Sequence, residues 1–201
     1  MGPRKVLDVL TASRVTRIYQ DNGTGAKADV AIFQADLAVV PDGYYIIGQV
    51  AVPCHTSTVP PSSIILVKSE QPVIKPPVGY NLMWHDKGSG GSQDISFWQV
   101  LAPEGYVALG DVAFPGYDKP SDHFTKKYAC IKRELLAPGR LSDHPIWVDR
   151  GSGARLDGSL WQVENAGFSG GGLAGFFKAN GNYNRPDTQV YVFPVAITSK
   201  K

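Results

Sequence analysis

Met83-Trp84-His85-Asp86-Lys87-Gly88-Ser89-Gly90, running on to Asp94 and closing on Trp98-Gln99, is one of three diverged copies of a single stretch. The earlier copy is Ile18-Tyr19-Gln20-Asp21-Asn22-Gly23-Thr24-Gly25, continuing to Asp29 and Phe33-Gln34. The later one is Ile146-Trp147-Val148-Asp149-Arg150-Gly151-Ser152-Gly153, continuing to Asp157 and Trp161-Gln162. The copies recur at intervals of about 64 residues, and self-similarity at a fixed period marks a chain assembled from repeated supersecondary units. Chance does not keep an aromatic, two aspartates, two glycines, a second aromatic and a glutamine in step three times.

A second similarity follows each copy. Pro41-Asp42-Gly43-Tyr44 leads to Gly48-Gln49-Val50-Ala51, and Pro103-Glu104-Gly105-Tyr106 leads to Gly110-Asp111-Val112-Ala113. In the third copy the signal is degraded to Ala166-Gly167-Phe168 and Gly172-Leu173-Ala174. Each unit ends in a β-rich run: Ser63-Ile64-Ile65-Leu66-Val67, Tyr128-Ala129-Cys130-Ile131 and Gln189-Val190-Tyr191-Val192-Phe193. A copy therefore reads as about four short strands, and the Gly-Tyr segment as one of them. Helices have little room: the best candidate, Lys132 to Leu136, meets Pro138-Gly139 almost at once.

A small sheet with one apolar face cannot bury that face alone, and three related sheets solve the problem by facing a common axis. The expected fold is all-β, a β-prism of three four-stranded antiparallel sheets with internal pseudo-threefold symmetry. A β-trefoil uses shorter units, and a β-sandwich leaves the triplication unexplained. The whole chain, 1–201, reads as a single domain with repeats at about 14–78, 79–141 and 142–199.

Composition agrees. Hydrophobic residues make up 43% and aromatics 10%, enough for a core, while 22 Gly and 15 Pro call for many turns. Twenty basic residues against 18 acidic ones leave a formal charge of +2 and no dense basic block, which argues against a nucleic-acid partner. The clusters Lys126-Lys127, Lys132-Arg133 and Lys200-Lys201 read as solvated faces that would also suit an anionic membrane surface. Met1-Gly2-Pro3-Arg4-Lys5 lacks the apolar core of a secretory signal, and no run approaches the length of a transmembrane segment. The expectation is a soluble chain, cytoplasmic or peripheral to membranes. Cys54 and Cys130 have no zinc-type spacing, and no motif asks for a cofactor or a metal.

The repeated aromatics Tyr19, Trp84 and Trp147, with Phe33, Trp98 and Trp161, read as core, since large rings on alternating strands fill the space between sheets. The paired carboxylates are the sharper question. Asp21, Asp86 and Asp149 open a glycine loop that Asp29, Asp94 and Asp157 close. Such a loop has three uses. The carboxylate can accept backbone N–H groups and hold the turn. It can receive sugar hydroxyls where glycine lets the backbone come close, and the spacing Gly25 to Asp29, Gly90 to Asp94 and Gly153 to Asp157 resembles the sugar loop of jacalin-type β-prism lectins. Calcium is third, because two carboxylates per loop fall short of a dedicated site. Candidate ligand-binding residues are thus Asp21, Gly25, Asp29, Asp86, Gly90, Asp94, Asp149, Gly153 and Asp157. The histidines, His55, His85, His123 and His144, do not occupy equivalent positions, and neither a nucleophile elbow nor a phosphate loop is present, so no enzyme is expected.

The run Trp84-His85-Asp86-Lys87-Gly88-Ser89-Gly90, then Ile95-Ser96-Phe97-Trp98, then Pro103 to Ala113, resembles the vacuolar protein sorting-associated protein 62 family from about Ile18 onward. Through the Gly-Tyr strand it is more loosely similar to multivesicular-body-associated β-prism modules and to the β-prism appended to some membrane-perforating toxins. These resemblances imply attachment to membranes or glycans and carry no catalytic residues. The expected function is a non-enzymatic recognition module that binds glycans or lipid headgroups through its repeated Asp/Gly loops. The alternatives are the targeting component of a pore-forming or insecticidal toxin, and a trafficking adaptor that binds a protein partner at an exposed sheet edge.

Overall fold

The computed structural model describes residues 6–54, 56–166 and 176–194. In the first copy the chain forms β1 (Asp8–Thr11), β2 (Val15–Gln20), β3 (Ala31–Ala35), β4 (Tyr45–Ile46), β5 (Val50–Val52) and β6 (Ile65–Lys68). The second copy gives β7 (Ile74–Lys75), β8 (Gly79–His85), β9 (Ile95–Leu101), β10 (Tyr106–Val107), β11 (Val112–Pro115), the helical turn α1 (Asp122–Thr125) and β12 (Cys130–Lys132). The third gives β13 (Ala137–Leu141), β14 (Trp147–Val148), β15 (Ser159–Asn165), β16 (Phe177–Asn180) and β17 (Tyr191–Val192).

The glycine loops are hairpin connections, and each returns the chain in the same register. Tyr19 stands opposite Ile32 and Ile32 opposite Ala51 in the antiparallel sheet β2-β3-β5. Trp84 stands opposite Phe97 and Phe97 opposite Ala113 in β8-β9-β11. In both, the ladder slips one residue before the aromatic, between Arg17 and Tyr19 and between Leu82 and Trp84. The third copy sets Trp147 opposite Leu160 and Leu160 opposite Ala179. A second set of strands centres on the closing run, in the order β1-β6-β4 and β7-β12-β10. In the third copy β13 joins both sets, pairing with β15 and β17, so the strands merge into one five-stranded sheet.

Several expectations are corrected by these pairings. The described residues form four three-stranded sheets and one five-stranded sheet, not three four-stranded ones. The cause is glycine. The Gly-Tyr segment divides, with β4 joining β6 and β5 joining β3, and between them Gly48 lies so close under Phe176 that a Cβ there would come within 2.3 Å of the ring. At Gly110 a Cβ would meet the Cβ of Phe176 at 2.9 Å. A residue without a side chain is what lets the strand pass from one sheet to the next beneath that phenylalanine. Ile74–Lys75 pairs with Cys130–Ile131 and Ala137–Pro138 with Tyr191–Val192. The register makes Ala179 the counterpart of Ala51 and Ala113; the segment Gly167 to Ala174 lies outside the described residues. The helical candidate 132–136 is only a 3-10 turn at Arg133–Leu135. The α turn lies instead at Asp122–Thr125, where the Ser121 side chain accepts the Phe124 N–H and Phe124 is buried.

One core cluster takes the same positions from all three copies: Tyr19, Trp84 and Trp147; Ile32, Phe97 and Leu160; Ala51, Ala113 and Ala179. Trp84 meets Trp147 edge-on at 5.0 Å and lies 4.8 Å from Phe97. Each fully buried ring of this kind contributes about 1.5–3 kcal/mol. A second cluster fills the junction of the first two copies with Phe33, Val50, Trp98, Val112, Phe124 and Tyr128. Polar side chains stitch neighbouring copies across these junctions. Gln49, fully buried, accepts the Ala113 N–H at 2.7 Å and donates to the Ala113 carbonyl at 2.9 Å. Asp111 of the second copy takes the Ala179 N–H of the third at 2.8 Å.

The two cysteines differ in reactivity. Burial pushes the Cys130 thiol up to about 12, while hydrogen bonding, chiefly with the Thr56 side chain 3.2 Å away, draws Cys54 down to about 7. Iodoacetamide is expected to label Cys54 at a rate that climbs as pH rises through about 7. Cys130 is expected to label only after denaturation; peptide mapping that found both thiols equally modified in the folded protein would contradict this.

Candidate functional site

Each Asp/Gly loop is closed by its own side chains. The first aspartate bends a carboxylate oxygen back across the hairpin: Asp21 accepts the Val30 N–H at 2.9 Å, Asp86 that of Ile95 at 3.0 Å and Asp149 that of Gly158 at 3.0 Å. The carbonyls of the same aspartates accept the N–H groups of Thr24, Ser89 and Ser152 at 3.1, 2.8 and 2.8 Å. The hydroxyls of those three residues accept from Ala26, Gly91 and Ala154. Positive φ at Gly25, Gly90 and Gly153, between 72° and 77°, completes the reversal, a conformation that a side chain would strain.

The second oxygens of Asp21 and Asp149 reach across copies. Trp147 donates its indole N–H to Asp21 at 3.0 Å, and Trp84 donates to Asp149 at 3.2 Å and to the Leu156 carbonyl at 3.0 Å. Tyr19 occupies the matching position of the first copy, and its buried hydroxyl finds no hydrogen-bond partner among the described residues. Asp21, Asp86 and Asp149 are only 3–4% exposed, and burial raises Asp21 above the ordinary carboxylate range against the pull of its Val30 and Trp147 bonds. The loops also bond backbone to backbone, Lys27 N–H to the Arg150 carbonyl and Arg155 N–H to the Lys87 carbonyl, both at 3.0 Å. Gly91 packs on Thr24 closely enough to join the remaining pair.

What faces solvent is a polar rim. Asp29, Asp94 and Asp157 are exposed. Tyr117 donates its hydroxyl to Asp94 at 3.0 Å, and Tyr183 donates to Asp157 at 2.9 Å. The Lys87 ammonium lies 4.5 Å from the Tyr117 ring centre, and the Arg150 guanidinium 4.7 Å from that of Tyr183, both within cation–π range. Desolvation first, then the neighbouring carboxylates, hold both phenols above the usual tyrosine range, so they remain hydroxyl donors at any physiological pH. Two loops thus carry the same set of cation, ring, hydroxyl and carboxylate. Among the described residues no group of His, Cys, Asp and Glu is arranged to hold a metal ion.

The sequence model of the vacuolar protein sorting-associated protein 62 family matches residues 1–187. The chain belongs to that family. Among solved structures, GNIP1Aa from Chromobacterium piscinae superposes with a TM-score of 0.75 at 30% identity, over 96% of this chain and 38% of that one. The chain therefore spans well under half the length of that relative. No curated protein matches by sequence.

In this family member the nine sequence-predicted residues gather on three adjoining loops but divide by role. Asp21, Asp86 and Asp149 are interior anchors of the turn. Gly25 and Gly153 sit against neighbouring loops, where an added Cβ would come 3.3 Å from the Gly151 carbonyl and 3.2 Å from that of Gly88, whereas a Cβ on Gly90 would meet nothing within 4 Å. Asp29, Asp94 and Asp157 are the members turned outward. Tyr117 and Tyr183 were not anticipated. Their signal was present: each follows by four the alanine that faces the core, Ala113 and Ala179, and the first copy has His55, outside the described residues, at that place. No helix among the described residues is long and apolar enough to cross a membrane.

Proposed function

We propose that the chain is a non-enzymatic recognition module, built as a β-prism of pseudo-threefold design, that docks on surface glycans through the rim of its three Asp/Gly loops. The observation that carries this reading is the loop-to-loop interlock, which makes three weak surfaces into one rigid platform. Glycans fit the rim better than lipid headgroups do. Exposed carboxylates accept hydroxyl hydrogens, the tyrosine hydroxyls and the cations beside them supply donors, and the mixed charge gives no field for an anionic bilayer. Repetition favours avidity on a crowded surface.

The test is the combined change Asp29, Asp94 and Asp157→Ala, assayed on a glycan array and on anionic liposomes. These side chains are exposed, so the melting temperature is expected to shift little, while array binding falls by about tenfold or more. Undiminished array binding by the folded variant would remove the rim from the account, and binding confined to liposomes would replace glycan with lipid. A second reading, the targeting component of a pore-forming or insecticidal toxin, draws its support from the match to GNIP1Aa, of which the chain covers 38% as one part of a longer protein.

A further inference from the structure

At one core position the copies disagree. Val50 and Val112 point into the apolar cluster between the first two copies, and the register places Lys178 at the same point of the third, since Ala51, Ala113 and Ala179 follow them directly. Lys178 is 13% exposed at its side chain and stands 3.4 Å from Asp111, whose side chain is 2% exposed. A lysine in place of a core valine, beside a buried carboxylate, costs desolvation energy that an apolar residue there would avoid. Among the described residues neither group is saturated. The ammonium has three donors, and its described partners, Asp111 and the Ala108 carbonyl, both lie at 3.4 Å. The carboxylate receives Val100 and Ala179 N–H groups and has roughly four acceptor positions in all.

The pair forms the floor of a cavity of about 480 Å³ between the second and third copies. Its walls include Asn180, Asn182, Arg185 and Thr188, side chains rich in both donors and acceptors, and the described ionisable groups around it, Asp111, Lys178, Arg185 and Asp187, balance in charge. That volume lies within the range of small-molecule sites. An acceptor fixed beside a donor suits adjacent hydroxyls, one donating to the carboxylate while the next accepts from the ammonium.

We infer that this cavity is a binding site for a neutral polyhydroxylated ligand of about one sugar ring, separate from the loop rim and independent of it. Saturation-transfer NMR on the full chain, with D-mannose, D-galactose and N-acetyl-D-glucosamine as probes and D-glucuronate as the charged comparison, tests it. At least one neutral probe is expected to receive saturation, and Asp111→Asn with Lys178→Met together to abolish it. Arg185→Ala, at the exposed rim of the cavity, is expected to weaken the signal about tenfold without altering the fold, which guards against misfolding of the double variant. The site stands if these variants lose the signal, whatever the Asp29/Asp94/Asp157 triple variant does. It falls if no neutral probe binds, if glucuronate is preferred, or if only the triple variant loses the signal, in which case the loop reading survives alone.

Discussion

Trp84→Phe and Trp147→Phe are each expected to lower the unfolding free energy by about 2–4 kcal/mol, while Tyr19→Phe leaves it unchanged or raises it by up to about 1 kcal/mol. Phenylalanine in place of tryptophan removes part of a ring buried at 0–1% exposure and also the N–H that serves Asp149 or Asp21. The second loss outweighs its own bond, because a carboxylate already taken from water is left one donor short. Tyr19 holds the same place, yet its buried hydroxyl has no partner among the described residues, so deleting it removes a desolvated group and no described bond. At about 2–4 °C per kcal/mol for a chain of this size, the tryptophan variants melt about 4–16 °C lower and the tyrosine variant does not. Equal destabilisation at all three positions would show that ring volume alone matters and that the links between copies carry no weight.

The same contrast explains how much of the molecule can be read from its sequence. Turn chemistry is local: Asp-x-Gly followed by Thr or Ser fixes a reversal within a few residues, so the three loops and the aromatics that flank them were legible, as were the closing runs that became β6, β12 and β17. The carboxylates were legible as a set but not by role. Whether Asp86 or Asp94 faces solvent depends on which one bends back to the Ile95 N–H. The division of the Gly-Tyr segment was hidden because its cause, Phe176 over Gly48, joins residues far apart in the chain. In the third copy the glycine-rich stretch after Ala166 drew the comparison to Gly172-Leu173-Ala174, whereas the ladder makes Ala179 the counterpart of Ala51 and Ala113, and the lysine one place before it went unnoticed. A charged residue at a repeat position that is elsewhere valine becomes visible only when the ladder register is known.

That lysine supports the second large effect. Lys178→Met is expected to cost about 3 kcal/mol near neutral pH, and adding Asp111→Asn to recover more than half of it. Burial holds Asp111 above the ordinary carboxylate range, and the charge of Lys178 is the chief influence opposing the shift. A carboxylate whose folded pKa exceeds its unfolded value, about 3.9, weakens the fold progressively as pH rises between the two. Removing the ammonium lifts the folded pKa further and widens that window upward. The penalty of Lys178→Met is therefore smallest at acidic pH, where Asp111 can take a proton, and grows toward neutrality. The double variant keeps an acceptor for one of the two N–H groups and carries no charge, so this site adds no pH dependence to its stability, and its deficit against the parent narrows as rising pH weakens the parent through Asp111. Urea melts across that range would refute the pairing if the single variant lost the same stability at every pH, or if the double variant proved the weaker of the two.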